Sequence, residues 1–142
     1  MDIRVDYAAL KRFRDNMAKL TEEQSAQFTE SAVKELAARL LAKAKKLTPV
    51  GKYKAGSGKV GGTLRRGWTI GKVSRKDGEY TIDVINPTAY AIYVEYGHRT
   101  RGGKGWVDGR FMLTVSEREL KRDAPGILEN KLNRFMEEII KG

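Results

Sequence analysis

The chain contains no cysteine. Disulfides are excluded, and thiolate catalysis and thiolate metal sites go with them. Only one histidine is present, His98. A metal site would need carboxylates as its other ligands, and none stands at ligand spacing nearby. Long apolar runs are also missing. Nothing approaches membrane-spanning length, and the start Met1-Asp2-Ile3-Arg4-Val5-Asp6 has no apolar signal core. The expectation is a soluble chain without a membrane partner, not secreted by that route. Acid is absent from a long internal stretch: between Leu36 and Lys76 there is no Asp or Glu, but there are twelve basic residues. These are Arg39, Lys43, Lys45, Lys46, Lys52, Lys54, Lys59, Arg65, Arg66, Lys72, Arg75 and Lys76. The remainder is near neutral, so the net charge of +10 is concentrated here. A solvated face is the commoner use of a lone charge run, but 41 residues without one acid favour an electrostatic partner, a polyanion or an acidic protein surface.

What is present fits one domain over residues 1–142, of ordinary composition at 40% hydrophobic and 32% charged. Asp6 can cap a first helix over about Tyr7 to Leu20, where Tyr7, Leu10, Phe13, Met17 and Leu20 recur at helical spacing. Thr21-Glu22-Glu23-Gln24 has the form of a capping box. It predicts a second helix from about Glu22 to Leu47, roughly 39 Å long at 1.5 Å per residue. Val33, Leu36, Ala37, Leu40, Leu41, Ala44 and Leu47 form its expected buried face. Thr48-Pro49 ends it, because a residue preceding proline is pushed out of the α region. From Gly51 to Gly62, five of twelve residues are glycine and three are lysine. Such a segment buries too little apolar surface to order itself and is expected to be mobile until a partner binds.

Leu64 to Trp68 leads into a hairpin. Trp68, Ile70 and Val73 are assigned to one strand and Tyr80, Ile82 and Val84 to the next, joined through Asp77-Gly78. Thr88 to Tyr96 reads as a short helix with Tyr90, Tyr93 and Val94 on one side, stopped by Gly97 in the αL conformation. A second basic, glycine-rich loop follows, over residues 98–109. Alternation of Phe111, Leu113 and Val115 suggests a third strand. Ser116-Glu117-Arg118-Glu119 resembles a capping box, and Pro125 can open the last helix. There Leu128, Leu132, Phe135, Met136, Ile139 and Ile140 make the apolar face. The fold class is α+β: two N-terminal helices, a hairpin plus a third strand in a small antiparallel sheet, a short helix between, and a C-terminal helix.

Catalysis finds little support. Gly56-Ser57-Gly58-Lys59-Val60-Gly61 matches the dinucleotide fingerprint letter by letter, but that motif needs a strand before it and a helix immediately after. Here a long helix precedes and a hairpin follows. No nucleophile elbow is present, and His98 reads as a polar loop residue beside Arg99 and Arg101. Glu95 stands in an aromatic, otherwise uncharged stretch. If buried, it needs a cation, and Arg65, Arg66 or Arg110 could supply a bidentate partner; an exposed Glu95 is an equal alternative. Trp68, Trp106 and the tyrosines from Tyr80 to Tyr96 could stack bases, although packing is their commoner use. No catalytic, cofactor or metal residue is assigned.

Three segments carry a resemblance when taken in order. Thr48-Pro49-Val50 leads to Leu64-Arg65-Arg66-Gly67-Trp68. Asn86-Pro87 leads to Tyr90-Ala91-Ile92-Tyr93-Val94-Glu95-Tyr96-Gly97-His98. Trp106-Val107-Asp108-Gly109-Arg110-Phe111-Met112 closes the set. Their order and spacing resemble the tail-component, or tail-completion, proteins of long-tailed bacteriophages and prophages, with one departure in the longer insertion from Gly51 to Gly61. The resemblance implies a structural virion protein made in the bacterial cytoplasm. It would be a subunit of a homo-oligomeric ring in the neck or upper tail, in contact with head-closure and tail-tube proteins. Lys52, Lys54 and Lys59 in one loop, and His98, Arg99, Arg101 and Lys104 in the other, are the expected contacts to neighbouring subunits or to packaged DNA. The competing class, supported by the basic block alone, is a protein that binds DNA or RNA without sequence specificity.

Overall fold

A computed structural model describes residues 6–51, 55–58 and 61–141. Two long antiparallel helices form its frame. α1 (Tyr7–Met17) is capped by Asp6, whose carboxylate accepts the Ala9 amide at 2.9 Å. α2 (Glu22–Leu47) starts at the capping box that the sequence announces: the Gln24 amide donates to the Thr21 hydroxyl at 3.1 Å, and the Thr21 amide to the Gln24 side chain at 3.0 Å. Thr48 ends it in extended conformation.

α2 packs along α5 (Met112–Lys141), and two separate clusters hold the pair together. At one end Phe28, Ala32 and Leu132 are buried, backed by Phe13, Met17 and Leu20 from the α1 side. The Phe28 ring meets Phe13 at 5.8 Å and Phe135 at 5.6 Å, both tilted. At the other end Ala44, Leu64, Trp68 and Met112 are buried. Arg12 and Glu129 fasten α1 to α5 at 2.6 Å. The hydrogen bond from Arg12 holds the Glu129 carboxyl below its ordinary range.

Between the long helices come α3 (Thr63–Gly67), β1 (Thr69–Ile70), β2 (Ser74–Lys76), β3 (Glu79–Thr81), β4 (Val84–Ile85) and α4 (Ala91–Tyr96). β5 (Gly97–Arg99) and β6 (Trp106–Asp108) complete the chain before α5. The strands form three antiparallel two-stranded ladders, β1–β4, β2–β3 and β5–β6. The first two are one hairpin with a register change. Ile70 pairs with Val84, but Ser74 pairs with Thr81, so three residues on one strand oppose two on the other. This is a β-bulge, and it explains the odd spacing of Ile70 and Val73. Both residues line one groove with Ile82, against Glu30 and Lys34 of α2. Asp77 (φ 51°) and Gly78 (φ 77°) make the tight turn that Asp-Gly predicts.

Several expectations are corrected here. Leu64–Trp68 contains a helical turn, α3, before the hairpin. The glycine-rich match at 56–61 is therefore followed by five helical residues and still preceded by α2, with Lys59 and Val60 outside the described residues. Phe111, Leu113 and Val115 do not form a third strand. Met112, Leu113 and Ser116 follow helical spacing instead, and α5 begins at Met112. Ser116 caps nothing; buried inside the helix, it donates to the Met112 carbonyl at 2.5 Å. Pro125 lies mid-helix and is fully buried. It withholds one amide from the ladder. Leu47, Tyr7, Ile139 and Ile140, expected in apolar faces, are exposed.

Gly126 follows Pro125 in helical conformation, and a methyl group placed there meets nothing within 4 Å. Gly126→Ala is expected to raise stability by about 0.5–1 kcal/mol, by reducing the freedom of the unfolded chain. Urea unfolding followed by circular dichroism checks it; a lower midpoint would mean that the backbone at 126 needs glycine.

Candidate subunit interface

The three sequence segments converge on the cluster around Trp68. The buried Trp68 indole donates to the Thr48 hydroxyl at 2.7 Å, and that hydroxyl donates in turn to the Ala44 carbonyl at 2.5 Å. Arg65 donates to the Thr48 carbonyl at 2.8 Å. Asn86 ties the second segment to the first, donating to the Leu64 carbonyl at 2.8 Å while accepting the Thr88 amide at 3.1 Å. Gly67 is required by this approach: a Cβ there would stand 2.5 Å from both Asn86 Oδ1 and Thr88 Oγ1. Each polar group in this knot thus has a partner as it leaves water.

The second and third segments are joined more tightly still. Arg110 donates its amide to the Val94 carbonyl at 2.7 Å, and Phe111 donates to the Glu95 carbonyl at 3.0 Å. Gly97 and Gly109 make the contact possible. A Cβ on Gly97 would lie 2.6 Å from the Val107 carbonyl oxygen, and one on Gly109 would meet the Glu95 carbonyl oxygen, so backbone atoms occupy both places. Gly97 stops α4 with φ 88° and ψ 173°, outside the αL conformation, and opens β5.

Glu95 is only 7% exposed. Its partners are not arginines. The carboxylate accepts the Leu113 amide at 2.8 Å, the Thr114 amide at 3.0 Å and the Thr114 hydroxyl at 2.7 Å. Glu95 therefore caps the N-terminus of α5 from another element, where the helix dipole and unpaired amides favour an anion. Among the described residues no ion pair joins Glu95 to Arg65, Arg66 or Arg110. Arg66 donates to the Gly61 carbonyl at 3.0 Å, and Arg110 is exposed. The sequence offered no local signal for this cap, because its amides belong to a stretch whose alternation reads as strand.

Outward from this rigid knot lies an apolar surface. On α4, Ala91, Val94 and Glu95 face inward, leaving Ile92 and Tyr96 each 60% exposed and Tyr93 exposed beside them. Of Tyr90, Tyr93 and Val94, which helical spacing places on one side, both tyrosines are exposed and Val94 packs against the core. On β6, whose three residues are all exposed, Trp106 is 59% exposed with Val107 next to it. Phe111, at φ 48°, presents its ring to Tyr96 at 6.4 Å, edge on. An open groove of about 340 Å³ runs between Trp68, Ile85, Ile92, Tyr96 and Leu113. Contiguous exposed aromatic surface of this kind marks interaction sites.

The expected loop at 98–109 is mostly a hairpin. His98 and Arg99 stand on β5, paired with Val107 and Trp106. The turn is closed by the Thr100 amide to the Gly105 carbonyl at 3.0 Å and by the Gly105 amide to the Thr100 hydroxyl at 2.9 Å. Arg101 and Lys104 are exposed at this tip. His98 meets the Tyr93 ring at 6.3 Å, and its Nδ1 lies 2.8 Å from the Arg99 carbonyl oxygen. Lys52, Lys54 and Lys59 of the expected mobile loop at 51–62 lie outside the described residues. Trp68 is core, whereas Trp106 is surface. Among the described residues no group of three or more His, Asp or Glu is placed to hold a metal, and no helix is long and apolar enough to cross a membrane.

Residues 11–97 match the protein family described as "Bacteriophage HK97-gp10, putative tail-component". The matched span runs from α1 to the start of β5 and takes in the first segment and the second as far as Gly97. The third segment, Trp106 to Met112, lies beyond it. No curated protein and no solved structure matches the chain.

Proposed function

The chain belongs to the HK97-gp10-like family of bacteriophage tail components, and we propose that in the virion it is a ring-forming subunit of the neck, joining head to tail or completing the tail's upper end. The observation that carries this reading is the exposed aromatic surface on α4 and β6, supported from behind by the Thr48–Trp68 and Glu95–α5 contacts. A rigid, apolar, aromatic face is suited to binding other protein subunits: the backbone behind it is already fixed, so little ordering entropy opposes association. Rings arise when two different faces of one subunit meet and the rotation closes. The β5–β6 tip, with Arg99, Arg101 and Lys104, reaches a neighbouring subunit. Lys52, Lys54 and Lys59, which lie outside the described residues, are proposed as contacts to a neighbouring subunit or to the phosphates of packaged DNA in the channel, without reading sequence.

The test is removal of the gene from the phage or prophage that carries it, with induced lysates examined by negative-stain electron microscopy. Full heads separate from unjoined or overlong tails are expected. Joined, intact particles would overturn the proposal and favour a free nucleic-acid-binding protein, whose affinity would fall steeply with salt. In a parallel arm, glutamate at Lys52, Lys54 and Lys59 should give particles that lose packaged DNA; normal titre would remove those lysines from the channel.

A further inference from the structure

The two ends of the α2–α5 pair carry complementary surfaces. Met112 packs with Ala44 at one end and Leu132 with Phe28 at the other, so the last turn of α5 lies far from α4 and β6. From Met112 to Ile140 the separation is about 40 Å at 1.5 Å per residue. The α4–β6 end carries the groove beside Ile92 and Tyr96, and it also carries four exposed cations: Arg99 on β5, Arg101 and Lys104 in the β5–β6 turn, and Arg110, whose amide bonds the Val94 carbonyl of α4. None of these four forms an ion pair among the described residues. At the far end Ile140 is 83% exposed, with Ile139 partly so and Glu137 and Glu138 exposed just before them. Neither glutamate forms an ion pair among the described residues, whereas Glu30, Glu35, Glu119 and Glu129 all pair within the chain. The C-terminal pole of the helix dipole adds negative potential at that end.

We propose that the last turn of α5 from one copy docks on the α4–β6 face of the next. Ile140 enters the groove beside Ile92 and Tyr96, and Glu137 and Glu138 meet Arg99 and Arg101. This rests on the ring reading above and names the two faces that meet. Charge selects the occupant. Pairing the aromatic face with itself would bring its unpaired cations against one another, which is unfavourable, whereas the end of α5 offers apolar side chains and unpaired acids together. The contact joins different faces and so propagates around a ring.

The absence of cysteine gives cross-linking no background. Asp108 on β6 and Lys141 at the end of α5 are exposed on the two faces and are not among the side chains assigned to the contact. Purified Asp108→Cys/Lys141→Cys protein, treated with a short bismaleimide, should yield a ladder of dimer, trimer and higher species. Each single variant alone should stay monomeric, and the two singles mixed should stop at dimer. Glu137→Lys/Glu138→Lys should reduce species above dimer by about tenfold, as should Arg99→Glu/Arg101→Glu, and combining the reversals should restore them. Dimers from one single variant would mean that like faces meet, and would overturn the docking. A ladder indifferent to both charge reversals would also overturn it. Protein that sediments as an oligomer yet gives no ladder would overturn the docking while leaving the ring. Protein that neither self-associates nor cross-links would count against both.

Discussion

Glu95→Ala is expected to destabilise the chain by about 3 kcal/mol. The buried carboxylate accepts two amides from the first turn of α5 and the Thr114 hydroxyl. Each donor to a charged acceptor contributes about 1.5–3 kcal/mol, and stranding buried donors adds a desolvation penalty. Exposed N-caps lost to alanine cost only about 0.5–2 kcal/mol. Burial and the triple contact set this one higher. Glu95→Gln retains an acceptor oxygen at the same reach, so a smaller loss of about 1–2 kcal/mol is expected. Urea unfolding of the three proteins measures both. If the alanine variant unfolds within about 0.5 kcal/mol of wild type, α5 does not depend on a cap from α4. The effect also reaches the candidate interface, because Glu95 fixes α4 against the start of α5 and so sets where Ile92, Tyr96 and Phe111 stand.

The second large effect is expected at Trp68. Trp68→Ala removes a buried indole from the cluster with Ala44, Leu64 and Met112 and should cost about 3–5 kcal/mol. Trp68→Phe keeps much of the packing but leaves the Thr48 hydroxyl without its donor. Thr48→Val keeps shape but leaves the indole N–H buried and unpaired. Both should cost about 1–3 kcal/mol. The ordering is the test: alanine well below the other two means that packing dominates, whereas three equal losses would place the hydrogen bond from Trp68 to Thr48 at the centre of the knot. Loss of the alanine variant's tryptophan near-ultraviolet signal leaves Trp106 as reporter of the exposed face.

The sequence was most legible where the signal is local. Asp6, the Thr21–Gln24 box and Thr48-Pro49 bound α1 and α2 because caps and proline act on their own neighbours. Asp77-Gly78 placed its turn for the same reason. Legibility failed where one segment is completed by a distant one. The start of α5 is capped by Glu95, eighteen residues from Leu113, so a three-residue alternation at Phe111 to Val115 looked like strand. Pro125 looked like a first helical position because nothing nearby reveals that burial holds it mid-helix. The converging motifs were visible as a set. What they build, an exposed aromatic face rather than a buried ion pair at Glu95, follows from which side of α4 the rest of the domain covers.

Two apolar clusters on one helix pair, divided near a proline that withholds an amide, make the frame separable into cooperative units. The lower unit joins α1, the first half of α2 and the last turns of α5. The upper unit joins the end of α2, the α3–β6 region and the first turns of α5. Amide exchange should therefore show two protection levels along α5, changing near Pro125. Because the upper unit carries the aromatic face and the lower unit carries Ile140, a neighbour bound at one end can tighten that unit without first ordering the other.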